Sequence, residues 1–252
     1  MRPRLDKLNS WRGSPIPTRL NLFLSFPHCD QILQTYELMA RIPQRYISVS
    51  TDMKILVMPN VYAPDLFTDS LKFAEIVPDL VGDSSLLEVG CGTGILSLLC
   101  AKNGAYVVAT DINPYAVMNS RINSRILRLS FDVRKGDIYS PVKKTEKFDF
   151  IFWLHPFNNS TFPVEDVLLR SGFEYKYAGL RRYISEARSH LTPKGRLLLG
   201  TGSNADVESI KTIAGENGYA IDVLREMNAP LIRGSEIRIR YLLIEFVPKS
   251  RV

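Results

Sequence analysis

Side chains able to hold a nucleoside recur at the ends of successive apolar runs. "LLEVGCGTGILSLL" carries Leu86 to Val89 into Gly90, Gly92 and Gly94, then into helical spacing from Ile95. A strand, a glycine turn and a helix start let a ligand approach bare backbone. Cys91 reads as part of that turn's filling, because nothing nearby in sequence supplies the base or positive charge that activates a thiol. "TDINP" ends the next apolar run on Asp111, placed to accept both hydroxyls of a ribose, and "KGDIYS" ends the third on Asp137, placed to meet an adenine amino group. Ile112 and Ile138 follow the two carboxylates and flank the same ligand. Taken alone, each carboxylate also reads as a helix N-cap. In order behind the glycine loop, they read as one site on one sheet edge.

A second cluster is "FDFIFWLHPFNN", residues 148 to 159, in a chain with only 2 Trp and 3 His. An apolar strand ends there on Leu154 and presents His155, Pro156, Phe157 and Asn158. His155 is either a general base or hydrogen-bond partner, since imidazole titrates near neutrality, or a structural hydrogen-bonding residue at a strand end. Asn158 and Asn159 either reach back toward a ligand or are ordinary turn residues. Trp153, Phe157 and Phe162 either wall a flat acceptor or belong to the core.

The elements that must position these residues alternate between β-type and helical patterns from about Ser85 onward, which predicts a mostly parallel sheet with helices on both faces. Seven strands are assigned, at "SLLEV", "AYVVATD", "FDVRKGD", "KFDFIFWL", "GRLLLGT", "YAIDVLR" and "IRIRYLLIEF". Helices are assigned at "ILSLLCAKNG", "PYAVMNSRINSRILR", "GLRRYISEARSHL" and "ADVESIKTIAGENG", two of them stopping at Asn-Gly as a left-handed C-cap requires. Only "EMNAPLIRGSE" separates the last two strands, too little for a crossover helix, so the final strand is expected antiparallel. Residues 1–60 form an extension with a helix near "CDQILQTYELMAR" and a hairpin at "YISVSTDMKILVMP", expected to cap the acceptor site; residues 61–252 form the catalytic domain. "WRGSPIPTRLNLFLSFPH" is either a mobile lid or an oligomer contact.

Composition narrows the class. With 252 residues and 45% hydrophobic content, the chain can bury a full α/β core. Its apolar runs fall far short of a membrane span and its start lacks a continuous apolar signal segment, so a cytoplasmic protein with no membrane partner is expected. Cys29, Cys91 and Cys100 share no metal-ligand or disulfide spacing, and no metal is expected. The net charge of +6 permits an anionic partner such as nucleic acid, but the basic residues are scattered and no RNA-binding motif accompanies them.

"EVGCGTG" resembles the class I S-adenosylmethionine (SAM) methyltransferase fingerprint more closely than the Gly-x-Gly-x-x-Gly of dehydrogenases, which disfavours a dinucleotide oxidoreductase. Upstream, "VMPNVYAPDLFTDSLKFAEIV" resembles the V-Y-x-P-x-x-D-T-x-L-L segment of the HemK-like and small-domain branch, and "TDINPYAV" and "GLRRYISEARSHLTPKGRLLL" are similar to that group over roughly residues 55–202. The resemblance implies a Rossmann-like seven-stranded sheet with a reversed last strand and SAM as cofactor. It implies that Glu88 holds the methionine end, that the Gly90–Gly94 backbone and Cys91 pass beside the cofactor, and that Tyr62, Pro64 and Thr68 shape a lid, either Thr68 or the Asp69-Ser70 pair occupying the segment's Asp-Thr position according to register. Leu154 joins the cofactor-binding set as the residue ending the fourth strand.

That branch ends its fourth strand with Asn-Pro-Pro-Tyr, where Asn holds a planar amide or amine; here Leu154, His155, Pro156 and Phe157 stand in its place. The expected reaction is methyl transfer to a nitrogen, or an oxygen, of a protein side chain, nucleobase or small metabolite. The alternative is a non-catalytic SAM-binding regulatory or partner module.

Overall fold

The computed structural model describes residues 28–249. Apart from His28, the expected lid or oligomer segment lies outside them. Helix α1 (Cys29–Arg41) buries Ile32, Leu33, Tyr36 and Met39, which recur at helical spacing. The expected hairpin follows as β1 (Arg45–Ser48) and β2 (Lys54–Val57), paired antiparallel. Two short helices, α2 (Asp69–Ala74) and α3 (Val77–Val81), lead into the alternating region.

That region runs β3 (Ser85–Val89), α4 (Ile95–Lys102), β4 (Tyr106–Asp111), α5 (Pro114–Leu127), β5 (Asp132–Lys135) and β6 (Phe148–Leu154). It continues as β7 (Asn158–Ser160), β8 (Phe173–Tyr175), α6 (Ala178–Glu186), β9 (Leu191–Gly202), α7 (Val207–Glu216), β10 (Tyr219–Pro230) and β11 (Arg238–Pro248). Seven strands form one sheet in the order β10-β11-β9-β6-β3-β4-β5. Neighbours from β9 to β5 are parallel, while β11 is antiparallel to both β9 and β10. Residues 231–237 are too few to cross the sheet, so β11 turns straight back from β10 and inserts beside β9.

β6 shows why a continuous apolar run was needed at the centre. Phe150 and Phe152 face one layer with Leu86, Leu198 and Tyr241, whereas Ile151 and Trp153 face the other with Leu87, Leu199 and Tyr183. Both Asn-Gly stops behave as expected: Gly104 and Gly218 take φ of +97° and +76° immediately after α4 and α7. Asn113 starts α5 by accepting a hydrogen bond from Tyr115 N at 2.9 Å, with Pro114 as first helical residue.

Some elements differ from the sequence expectation. α6 ends at Glu186 and continues as a 3-10 turn over Ala187–Ser189, and β9 begins before Gly195, at Leu191. α2, α3 and the parallel pair β7–β8 were not anticipated, being too short to show a period.

The extension is fixed to the sheet domain by asparagines of α5. Asn123 accepts from Leu56 N at 2.8 Å and donates to Leu56 O and Thr93 O, each at 2.9 Å. Asn119 accepts from Met58 N at 2.9 Å and donates to Leu56 O at 2.8 Å. Both side chains are fully buried. An amide presents donor and acceptor together, so one side chain satisfies both backbone groups of a strand edge. Asn123→Ala removes the side-chain partner of Leu56 N and Thr93 O while Leu56 O keeps Asn119, and we expect a loss of about 3 kcal/mol; urea denaturation should show a lower midpoint with an unchanged slope.

Candidate active site

The carboxyl ends of β6, β3, β4 and β5 open into one cavity, as strand order in a parallel sheet requires. Gly90, Gly92 and Gly94 take φ of +69°, +54° and +81°. Gly90 N and Cys91 N both donate to Thr110 O, at 2.8 and 3.1 Å, which folds the loop over the end of β4. A Cβ on Gly90 would lie 3.1 Å from Trp153 Nε1, so bare backbone is needed both for the turn and for the close approach of that indole. The Cys91 thiol meets Ser120 Oγ at 3.3 Å, and burial drives its pKa well up; it is an inert filler.

Three carboxylates from the ends of the first strands reach the cavity. Glu88 is buried and accepts from Ser97 N at 3.0 Å and from the Ser97 hydroxyl through the same oxygen. Burial raises it to about 8, against those two hydrogen bonds. Asp111 accepts from Gly92 N at 2.9 Å through Oδ2 and from Asn113 N at 2.8 Å through Oδ1, and burial raises it to about 6. Asp137 is half-exposed, with Arg182 Nη1 2.8 Å from its Oδ2. Ile112 and Ile138 line the cavity beside them, Ile138 with φ of +52°.

The cluster after β6 lines the same cavity: Leu154, His155, Pro156, Phe157 and Asn158 are all in its wall. His155 is buried, its Nε2 2.9 Å from Thr201 Oγ1, with Nδ1 buried and unpartnered among the described residues. Burial lowers its pKa to about 3, so the imidazole is neutral at pH 7 and a weak base. Tyr177 donates to Phe157 O at 2.6 Å and packs edge-on to His155 at 5.5 Å, which fixes the turn. Asn158 spends its side-chain amide on Gly172 O at 2.7 Å. Trp153 packs on Tyr183 at 5.3 Å and also borders the cavity.

Of the upstream residues, Tyr62 lines the cavity and stacks on Phe67 at 5.1 Å. Pro64, Thr68 and Gly94 lie outside the lining. Thr68 instead donates to Pro230 O at 2.5 Å and meets Tyr241 Oη at 3.0 Å. The cavity also takes in Asp69 and Ser70, the second of the two registers the Asp-Thr position allowed, and Tyr36 and Arg170, which the sequence did not single out. Tyr36 sits on the buried stripe of an amphipathic helix and reads as core, with no sequence signal of its own; Asp69 carries only the ambiguous register of the Asp-Thr position, which the structure resolves by placing Asp69 and not Thr68 in the lining.

The sequence matches the methyltransferase small domain family over residues 52–221. It is 28% identical over 190 residues to a Methanocaldococcus jannaschii protein bearing the provisional name protein N5-glutamine methyltransferase, spanning 71% of this chain and 90% of that one. It is 30% identical over 152 residues to ribosomal RNA small subunit methyltransferase C of Aeromonas hydrophila, spanning 59% of this chain but only 40% of that enzyme. In fold it is similar to the T. thermophilus 16S rRNA N2 G1207 methyltransferase crystallised with AdoMet and guanosine, with a TM-score of 0.58 at 18% identity over 83% of this chain and 51% of that one. No helix among the described residues is long and apolar enough to cross a membrane.

Glu88 gives a pH test of the ligand-free site. Its folded pKa of about 8 lies above the ordinary 4.5, so the folded state holds a proton that the unfolded chain has already released, and stability falls as pH rises between those values. Between pH 6.5 and 8 we expect a loss on the order of 1–2 kcal/mol. Thermal melts across that window should show a much smaller loss in Glu88→Gln; equal slopes would mean that Glu88 is not the group titrating.

Proposed function

Because the chain belongs to the methyltransferase small-domain family and is a SAM-dependent methyltransferase, we propose that it methylates a nitrogen on a planar group of a protein side chain, nucleobase or small metabolite. The carrying observation is that one cavity runs from Asp111 and Asp137 to the turn after β6, so a cofactor half and an acceptor half adjoin.

The residues present suit SAM. Glu88 and Asp111 are buried carboxylates beside a positive-φ glycine loop, with no cation near either among the described residues. Glu88 would hold the α-ammonium of the methionine part and Asp111 the ribose hydroxyls, with Asp137 toward the adenine amino group. Gly90, Cys91 and Gly92 would pass along the cofactor with bare backbone, and Ile112, Ile138 and Leu154 would pack on its apolar faces. When bound, SAM supplies a methyl carbon on a sulfonium, which an aligned and desolvated lone pair can attack directly.

On the acceptor side, Pro156 and Phe157 keep the turn and its aromatic wall, while Leu154 contributes no polar side-chain atom. The unpartnered Nδ1 of neutral His155 supports a role in hydrogen-bonding the acceptor rather than in taking its proton. Helix α1 supplies a further wall through Ile32 and Tyr36, which supports reading the extension before residue 61 as part of the acceptor site.

Two outcomes test this reading. Asp111→Ala should weaken S-adenosylhomocysteine binding by roughly 1.5–3 kcal/mol, the worth of hydrogen bonds to a charged group, and calorimetry showing unchanged affinity would remove the ribose role. Incubation with methyl-tritiated SAM and extract of the native cells, followed by separation of protein, RNA and small molecules, should label one fraction. His155→Ala should abolish that label while retaining S-adenosylhomocysteine binding. A fully active variant would make His155 structural, and label in no fraction would overturn the acceptor assignment.

A further inference from the structure

A third buried carboxylate faces the cavity and has no role in the account above. Asp69, the first residue of α2, is 4% exposed and lines the cavity. Its Oδ2 accepts from Tyr62 Oη at 2.8 Å and its Oδ1 from Ser70 N at 2.7 Å. No cation stands beside it among the described residues. A carboxylate taken out of water is costly unless opposite charge or further donors replace the solvent. The remaining lone pairs therefore call for an N–H-bearing, preferably cationic, group from a ligand in the cavity.

Two ligand groups fit that chemistry: the α-ammonium of the cofactor and the nitrogen of the acceptor. Placement favours the acceptor. Thr68, immediately before Asp69, is tied to Pro230 O and Tyr241 Oη, and its N–H donates to Leu231 O at 3.3 Å. These anchors hold the start of α2 at β10 and β11, on the opposite side of β6 from β4 and β5, where Asp111 and Asp137 stand. One turn along α2, Phe73 packs on Phe152 of β6 at 5.9 Å, and Phe73 and Leu154 both press on Gly200. Glu88, in β3 directly before the glycine loop, is already assigned to the cofactor's α-ammonium, which leaves Asp69 for the acceptor.

We propose that Asp69 is the acceptor-binding carboxylate of this enzyme, taking over from the apolar Leu154 the task of holding an N–H of the methyl acceptor and receiving its proton. The inference rests on the methyl-transfer reading above and narrows the acceptor to a nitrogen bearing at least one hydrogen. In the step, the nitrogen lone pair forms the new N–C bond while the pair of the broken C–S bond stays on sulfur. The N–H proton passes to the Asp69 carboxylate, which later returns it to solvent. Tyr62 keeps the carboxylate oriented, and Tyr36 from α1 and Tyr241 from β11 complete its surroundings. Burial raises Asp69 to about 6, so it is ionised above neutrality and close enough to it to release a proton again.

Sinefungin tests the assignment without knowledge of the acceptor, because it carries an amine-bearing carbon in place of the methyl sulfonium and shares the α-ammonium with S-adenosylhomocysteine. Affinities of both compounds would be measured by calorimetry at pH 8 for the full chain and for Asp69→Asn. We expect the full chain to bind sinefungin roughly ten- to a hundredfold more tightly than S-adenosylhomocysteine, as a charge-assisted hydrogen bond allows. Asp69→Asn should lose that preference and leave S-adenosylhomocysteine within about twofold of its original affinity, which also shows that the variant is folded. Equal weakening of both compounds would assign Asp69 to the cofactor's α-ammonium and overturn the acceptor role. An unchanged preference would overturn any contact with the incoming nitrogen. Failure of the unaltered chain to bind S-adenosylhomocysteine would instead remove the methyl-transfer reading on which the inference stands.

Discussion

Glu88, Asp111 and Asp69 are buried around one cavity with no cation beside them among the described residues, and the active end of the molecule is arranged around that cost. Water lost from an ionised carboxylate must be replaced by donors or by opposite charge. The fold supplies donors: Ser97 to Glu88, the N–H groups of Gly92 and Asn113 to Asp111, and Tyr62 and Ser70 to Asp69. These are too few to restore ordinary acidity, and desolvation leaves the three at about 8, 6 and 6. A ligand rich in N–H and O–H groups and carrying positive charge completes each set, so the strain of the free site is a driving force for binding.

The glycine loop and the segment ahead of it are held as one unit by the same economy of hydrogen bonds. β2 lies in a two-stranded sheet, and the outer N–H and C=O of Leu56 would be orphaned where α5 covers them. Asn119 and Asn123 satisfy both groups, and Asn123 also reaches Thr93 O in the loop. Asn113 adds a bond from Nδ2 to Asn60 O at 2.7 Å. The chain leading to Tyr62 and Asp69 is thereby referenced to the backbone that would carry the cofactor, and the two halves of the cavity keep their spacing. Buried asparagine suits this task because it brings a donor and an acceptor without a charge to desolvate.

Much of this was legible because it repeats a strong period. The central strands are largely apolar runs, and the ligand-type residues sit at strand ends, so Glu88, Asp111 and Asp137 could be placed on one edge before any contact was known. What could not be read is what depends on side-chain direction within short or irregular segments. Tyr36 is ordinary in sequence, and the register that chooses between Thr68 and Asp69 is set by the anchoring of Thr68 to the β10–β11 hairpin, with Asp69 left to enter the cavity. That hairpin lies some 160 residues away, a separation at which local pattern carries no information. The same tie accounts for Thr68 itself lying outside the lining although its neighbours suggested a lid.

The replacement of Asn-Pro-Pro-Tyr by Leu-His-Pro-Phe is best understood as a relocation of polarity within the acceptor half. Leu154 brings no polar side-chain group to the end of β6, and His155 offers a hydrogen-bonding Nδ1 but no base, since its Nε2 is committed to Thr201 and burial holds it neutral. A histidine near 3 is a hydrogen-bond partner, not a proton sink. The proposed nitrogen methylation sheds a proton from the acceptor, which needs a group to receive it. A carboxylate close to neutrality suits that task, and Asp69 meets the description, held by a tyrosine from the segment that α5 locks in place. On the proposed reading an apolar strand end and a buried acid in the same cavity are two parts of one arrangement: the first would keep water from the reacting nitrogen, and the second would give its proton somewhere to go.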